Sequence, residues 1–173
     1  MKKIDKVYFE KRANEALDKI KQEDIDFYHI IEDIINNNTV RQMIQYRQHY
    51  DTSTFEHCLH VSYISYRFCK KHHLDYVSMA RAAMLHDLFL YDWRKKQRDV
   101  EIDGLHAFAH PKIALQNASQ IFKLNDKEKD IIVKHMWPVT LPLPRYKESF
   151  IITFADKYSA LKESFDYYFR KKN

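Results

Sequence analysis

An adjacent His86-Asp87 pair inside an apolar segment is the first feature of this sequence that could do chemistry. The segment runs from Met84 to Trp93 and is apolar on nearly every side, so it is predicted to form a central helix. A buried, ionised carboxylate is costly unless a counter-charge accompanies it. A metal ion is one such counter-charge, and an Arg or Lys side chain is another. The pair alone therefore leaves two alternatives open, a hydrogen-bonded core pair and two metal ligands.

Two further histidines are predicted at the beginnings of helices. Ser53 and Glu56 have the spacing of a capping box, which places His57 in the first turn of a helix. Its face of that helix also carries Val61, Ile64 and Phe68. His110 directly precedes a proline, which suits the first turn of a helix predicted over residues 111–122. Both imidazoles are thus expected at positions that can point inward.

A fourth histidine belongs to a helix predicted over residues 126–136. Asn125 and Glu128 form a second capping-box pattern at its start, and apolar residues surround His135 near its end. As with the other histidines, a satisfied core residue and a ligand are both consistent with this position.

The last predicted helix, over residues 146–169, contributes a second aspartate. Asp156 lies beside a stripe that is expected to pack in the core. The stripe consists of Ile151, Phe154, Ala155, Tyr158, Leu161 and Phe165. His106 lies in a charged loop predicted over residues 92–109 and is less well placed.

Four neutral imidazoles and two carboxylates could hold two divalent ions, with one carboxylate bridging them. Mixed nitrogen and oxygen ligation suits Fe, Mn, Co, Ni or Zn better than Ca. The donors would have to come from separate helices of one domain.

The composition indicates an all-α fold. Gly104 is the only glycine among 173 residues, and a β-rich fold would need many more residues that form tight turns easily. The length fits one domain over residues 1–173, with a helical scaffold at 1–40 and a core at 45–165.

Local signals place the remaining helices. Residues 1–35 carry apolar positions at helical spacing, and three asparagines at 36–38 interrupt them. Thr39 and Gln42 are predicted to begin another helix as a capping box, and Asp75 to cap the helix that leads to His86.

Charge and cysteine content exclude several classes of protein. The net charge of +5 is concentrated at the two ends, and no aromatic and basic residues interleave as in a nucleic-acid-binding motif. No apolar run approaches the roughly 20 residues of a membrane span, and the polar N-terminus lacks a signal-peptide core. Cys58 and Cys69 are isolated, so reduced thiols and a cytoplasmic location are expected.

The order of the six candidate ligands resembles the HD-domain superfamily of metal-dependent phosphohydrolases. His57-Cys58-Leu59-His60-Val61 is similar to the segment of the first histidine, Met84-Leu85-His86-Asp87 to the signature, and Phe154-Ala155-Asp156-Lys157 to the closing segment. The resemblance covers roughly residues 45–165. The phrase His135-Met136-Trp137-Pro138 resembles a group of small bacterial HD proteins that has no settled substrate.

The resemblance implies a single-domain helical bundle with a dinuclear metal site. One ion would bind His57, His86, Asp87 and Asp156, and the other His110 and His135, with Asp87 shared. A water activated by the metals would attack a phosphate ester, which is a small molecule and could be a nucleotide. His86 and Asp87 would be the central catalytic residues. Candidate substrate contacts are Arg94, Lys95, His106 and Lys157, with Lys96 and Arg98 in the same basic loop.

Two other functions remain open. The oxygenase branch of the superfamily uses the same six ligands for two irons, but presents a Tyr and a Glu shortly before the first histidine. Here Tyr46 and Tyr50 are available, whereas the nearby acid is Glu56, adjacent to His57. A regulatory metal-binding module without turnover is the third alternative, although a pure binder would not require all six ligands.

Overall fold

Helices account for most of the chain in the computed structural model, which describes residues 3–95 and 105–170. The all-α prediction is therefore confirmed. The helices are α1 (Lys3–Glu23), α2 (Ile25–Ile35), α3 (Asn38–Arg41), α4 (Thr54–Lys71), α5 (Tyr76–Leu85), α6 (His106–Ile121), α7 (Asp126–Lys134) and α8 (Lys147–Arg170). Between α3 and α4, a 3₁₀ turn (Gln42–Gln45) precedes an antiparallel hairpin of β1 (Arg47–His49) and β2 (Thr52–Ser53). None of the described helices is long and apolar enough to cross a membrane.

One continuous hydrophobic core joins the N-terminal helices to the rest of the domain. Phe9 of α1, Ile31 of α2, Leu59 of α4 and Met79 of α5 all belong to it. In addition, Nε of Arg12 in α1 lies 2.8 Å from a carboxylate oxygen of buried Glu56. The first helix thereby holds the end of α4 on which His57 lies.

Three predicted helix starts are confirmed. Ser53 and Asn125 each complete a capping box, at the beginnings of α4 and α7. The Asp75 side chain accepts a hydrogen bond from the backbone N–H of Ser78 in the first turn of α5. These side chains satisfy N–H groups that have no partner within the helix, so a local pattern is enough to fix the helix start.

We expect Ser53→Ala to lower the free energy of unfolding by about 1 kcal/mol. The Ser53 hydroxyl accepts from the Glu56 N–H at 3.2 Å and donates to the Glu56 carboxylate at 3.0 Å, so the variant loses both bonds. Chemical denaturation followed by circular dichroism measures the change. Ser65→Ala in the same helix is the control, because no described residue hydrogen-bonds the buried Ser65 hydroxyl. An equal loss in both variants would contradict the capping role.

In the N-terminal region, Asp24 separates α1 from α2 and caps α2, and one predicted helix start differs from the structure. The capping box at Thr39 is wrong: Asn37 is the cap, and its side chain accepts from the N–H groups of Thr39 and Val40. Asn37 has an extended backbone and satisfies N–H groups in the first turn of α3, so the helix begins before Thr39.

The predicted central helix through Met84–Trp93 is also wrong. Helix α5 ends at Leu85, and the chain leaves the helix at His86. Adjacent residues of a helix point in different directions, whereas an irregular chain allows His86 and Asp87 to face the same cluster.

Helix α6 begins at His106, earlier than predicted, so it contains Pro111 and places His110 in its second turn.

The predicted core stripe of α8 lies mainly at the surface. Ala155 is buried and Ile151 half-buried, but four large members are between 57% and 66% exposed. These are Phe154, Tyr158, Leu161 and Phe165. Phe68 on the predicted apolar face of α4 is likewise exposed. Helix α8 turns its opposite face inward because that face carries Asp156.

Candidate metal centre

The six predicted ligands converge at the centre of the domain. His57 lies in the first turn of α4, His86 and Asp87 directly after α5, and His110 in α6. His135 directly follows α7 and Asp156 lies in the middle of α8. All four histidine side chains and Asp87 are buried, and Asp156 is only partly accessible. Donor atoms from five separate segments therefore meet in a largely dry environment.

One half of the cluster surrounds Asp156. Its Oδ1 atom lies 2.9 Å from Nε2 of His57 and 3.8 Å from Nε2 of His86. Oδ2 of Asp87 lies 3.5 Å from the same His86 nitrogen. These are the four residues that the resemblance assigns to the first ion.

The other half surrounds the second oxygen of Asp87. Its Oδ1 atom lies 3.3 Å from Nε2 of His110 and 3.5 Å from Nε2 of His135. The two imidazole nitrogens are 2.9 Å apart. Because the two carboxylate oxygens of Asp87 face different sets of nitrogens, this residue is placed to bridge the halves.

Backbone carbonyls define the protonation of three of these imidazoles. Nδ1 of His86, His110 and His135 lies 2.7–2.8 Å from the carbonyl oxygens of Ala83, His106 and Ile132, respectively. A carbonyl only accepts, so each Nδ1 carries the proton, and in the neutral ring Nε2 presents a lone pair to the cluster.

This arrangement fits metal ions, because several nitrogen and oxygen atoms of the cluster face no hydrogen-bond donor among the described residues. His110 and His135 direct two lone pairs at each other across 2.9 Å, and neither can donate in its neutral form. His86 Nε2 and Asp87 Oδ1 are buried without a hydrogen-bond partner among the described residues. Metal–nitrogen bonds of about 2.0–2.1 Å bring neighbouring ligand atoms to roughly 3 Å from one another. A cation near these atoms would resolve the repulsion.

The charges of the cluster also indicate a place for a cation. Burial acts to lower the pKa of His57, but hydrogen bonds to carboxylates, first to Asp156, raise it well above its usual value. For His86, burial is likewise outweighed by the Asp87 carboxylate, and its pKa is raised. Burial acts to raise the pKa of Asp87, yet the neighbouring histidines hold it well below its usual range. The carboxylates thus favour positive charge at His57 and His86, and metal ions would supply that charge in place of protons.

Three residues that the sequence analysis missed support the ligands. The Glu163 carboxylate accepts from Nδ1 of His57 at 2.9 Å, and Gln48 donates its amide N–H to Oδ2 of Asp87 at 2.7 Å. His49 packs edge-on against His57, with ring centroids 5.5 Å apart. His49, His57 and Glu163 form a further group whose donor atoms lie within 4.8 Å of one another. Glu163 has a signal in the sequence, because it follows Asp156 by two helical turns on the same face.

His106 lies beside the cluster rather than in it. Its ring stacks on His110 at 4.5 Å and on Trp93 at 5.4 Å, and its Nδ1 atom hydrogen-bonds the Tyr91 hydroxyl at 3.0 Å. It is not a member of the possible metal-holding groups found among the described residues.

We expect His106→Ala to keep the metal content of the parent protein, because the substitution removes only a neighbouring ring and leaves all donor atoms of the six candidate ligands in place. His135→Ala is the matched comparison, and we expect it to lose one ion. Elemental analysis of both purified variants measures the difference. Loss of an ion from His106→Ala would make His106 a ligand.

The predicted substrate cations are exposed and partly engaged elsewhere. Arg94 binds the carboxylate of Asp92 with two hydrogen bonds of 3.0 Å. The Lys157 ammonium donates to the backbone carbonyl of Trp137 at 3.0 Å, and Lys95 is exposed. Lys96 and Arg98 lie outside the described residues.

The fold and the site define an α-helical domain whose buried cluster of four histidines and two aspartates could hold metal ions. The chain belongs to the HD domain family, whose sequence profile matches residues 54–161, more than half of its length. The predicted family membership is therefore confirmed. HD domains bind divalent metal ions, and members of this family are typically metal-dependent phosphohydrolases. Searches of curated proteins and of solved structures found no match.

Proposed function

We propose that this protein hydrolyses a phosphate ester with the help of two divalent transition-metal ions. The observation that carries the proposal is the bridging position of Asp87, whose two oxygens face separate groups of donor atoms. Two adjacent ions can stabilise both the attacking and the leaving oxygen of an in-line displacement at phosphorus. Family membership supports the same class of reaction.

In this proposal, His57, His86, Asp87 and Asp156 would hold one ion, and His110, His135 and Asp87 would hold the other. Divalent ions there would supply a water that loses its proton near neutral pH, and would neutralise charge on the phosphate. Fe, Mn, Co, Ni and Zn all match the mixed donor set.

The residues of the chain orient the ligands and keep the centre dry. The carbonyl bonds hold the rings of His86, His110 and His135 with Nε2 directed inward. Glu163 does the same for His57, and Gln48 holds one Asp87 oxygen. Buried donors that are already in position lose little freedom when the reaction begins, and this preorganisation is the main contribution of a protein to such a site.

Substrate contacts are proposed from residues next to the cluster. His106 and Trp93 form a stacked pair beside His110, which would suit the flat base of a nucleotide. Lys157 follows Asp156 directly, and Arg94 and Lys95 follow the signature segment, so these cations are proposed to contact phosphate oxygens. To do so, Arg94 would exchange its contact with Asp92 for the substrate.

The surroundings of Glu56 favour hydrolysis over the oxygenase alternative. Glu56 bonds Ser53 and Arg12, and therefore directs its carboxylate away from the metal ligands. Gln48 and His49 are polar side chains that reach the cluster from the hairpin before His57. Neither is the acid expected shortly before the first histidine of an oxygenase.

The test is metal analysis combined with hydrolysis of defined esters. Protein purified without chelator or added metal is analysed for elements, then assayed with p-nitrophenyl phosphate, its diester and a panel of nucleotides. About two transition-metal ions per chain with phosphate or nitrophenol release would support the proposal. Two irons without hydrolysis would favour the oxygenase, and a stable protein that binds metal without turnover would favour a regulatory module.

A further inference from the structure

Helix α8 exposes a continuous apolar stripe on the side of the helix opposite the metal centre. The stripe consists of Phe154, Tyr158, Leu161, Phe165 and Phe169, each between 57% and 66% exposed. The steps of four, three, four and four residues place these side chains on one face of the helix. Large apolar side chains arranged in this way mark a surface that a partner covers.

The opposite face explains why the stripe is not in the core of the domain. Ile152, Asp156, Ser159 and Glu163 recur at steps of four, three and four, two residues out of phase with the stripe, and they are directed inward. Supplying Asp156 and Glu163 to the His57 side of the cluster fixes the rotation of α8. The larger apolar face of the helix is then left at the surface.

We propose that the α8 stripe is the interface of a two-fold symmetric homodimer. The five side chains present on the order of 600 Å² of apolar surface per chain. A standard protein interface buries about 800 Å² per partner, so self-association of this stripe, with its rim, would reach the size of a stable dimer. Two-fold dimers are also the commonest assemblies of identical chains.

The stripe is complementary to itself in an antiparallel arrangement. With the two-fold axis beside Leu161, Phe154 lies opposite the partner's Phe169 and Tyr158 opposite the partner's Phe165. Aromatic side chains therefore meet aromatic side chains on both sides of the central Leu161.

The charges next to the stripe favour a second copy over a lipid surface. No charged residue interrupts the stripe, and the neighbouring Lys157 ammonium is held by the carbonyl of Trp137. On the other flank, Asp166 accompanies Lys162 one turn away. A helix that binds membranes usually has a strongly basic polar face, which these flanks do not provide.

The test measures the mass of the full chain in solution by light scattering and sedimentation over a wide range of concentration. We expect a particle of twice the 21.0 kDa chain mass. Leu161→Glu and Phe165→Glu are each expected to weaken association more than about 30-fold, as for a central interface residue. Ile25→Glu is the control, because Ile25 is an exposed apolar residue on α2, and it should leave the dimer intact.

A cysteine variant tests the proposed antiparallel arrangement independently of any loss of folding in the Glu variants. Leu161→Cys near the proposed axis should form an intermolecular disulfide on mild oxidation, while the native Cys58 and Cys69 are buried and should not. Circular dichroism and metal content of the Glu variants should match the parent. A monomer at all concentrations without cross-linking, or a dimer insensitive to both Glu variants, would overturn the proposal. So would a monomer that binds anionic vesicles through Leu161.

Discussion

Asp87→Ala is expected to lose bound metal and to reduce hydrolysis of a phosphate ester by more than about 100-fold. Replacing a residue that merely supports a metal ligand typically costs 10–100-fold, and Asp87 itself would contact both ions. Its oxygens lie 3.5 Å from His86 Nε2 on one side and 3.3 Å from His110 Nε2 on the other. The variant also leaves the amide of buried Gln48 without its partner.

The measurement is the number of ions per chain by elemental analysis, together with the rate of ester hydrolysis. Asp92→Ala is the matched control, since Asp92 belongs to the same segment and pairs with Arg94 at the surface. We expect the control to retain both ions. Retention of the parental metal content by Asp87→Ala would exclude the bridging assignment, and loss in both variants would indicate a defect of folding in this segment.

The parts of the structure that could be predicted from the sequence depend on local chemistry. Helix starts at Ser53, Asp75 and Asn125 are correct because a cap and the N–H groups it satisfies lie within three residues of each other. The scarcity of glycine likewise indicated a helical chain. The six candidate ligands were predicted from their order along the chain, and the structure brings all six together.

The wrong predictions concern choices that local sequence does not determine. Apolar residues surround His86 and Asp87, so hydrophobic pattern alone favoured a helix where the chain leaves it. In α8, the pattern identified the apolar stripe correctly but placed it in the core. A helix that must present Asp156 to a buried site is rotated by that requirement, and hydrophobic periodicity carries no information about it.

Gln48 and His49 could not be predicted because their positions depend on the hairpin. Strands β1 and β2 pair within residues 47–53, with His49 opposite Thr52. This pairing places Gln48 against Asp87, which is distant in the sequence. Neither residue belongs to a motif of metal ligands. Only the packing of the hairpin onto α4 gives them a relation to the site.

Glu163→Ala is expected to weaken metal binding by about 10–100-fold, the usual effect of removing a carboxylate that orients a histidine ligand. The Glu163 carboxylate, 9% exposed, accepts from His57 Nδ1 at 2.9 Å and so directs Nε2 of that ring toward Asp156. Because His57 belongs to only one half of the cluster, the loss should affect one ion. At a free metal concentration that is just sufficient to load the parent with two ions, the variant should therefore bind only one.

Titration with a metal-sensitive chelating dye measures this difference without reference to activity. Glu163→Gln should keep most of the affinity, since its amide oxygen can still accept from the imidazole N–H. Asp166→Ala, one turn further along α8, is the matched control and should bind metal as the parent does. Equal affinities for Glu163→Ala and the parent would show that His57 is oriented by packing alone. A uniform loss of both ions would instead assign Glu163 to the stability of α8, because its hydrogen bond is to His57, which belongs to only one half of the cluster.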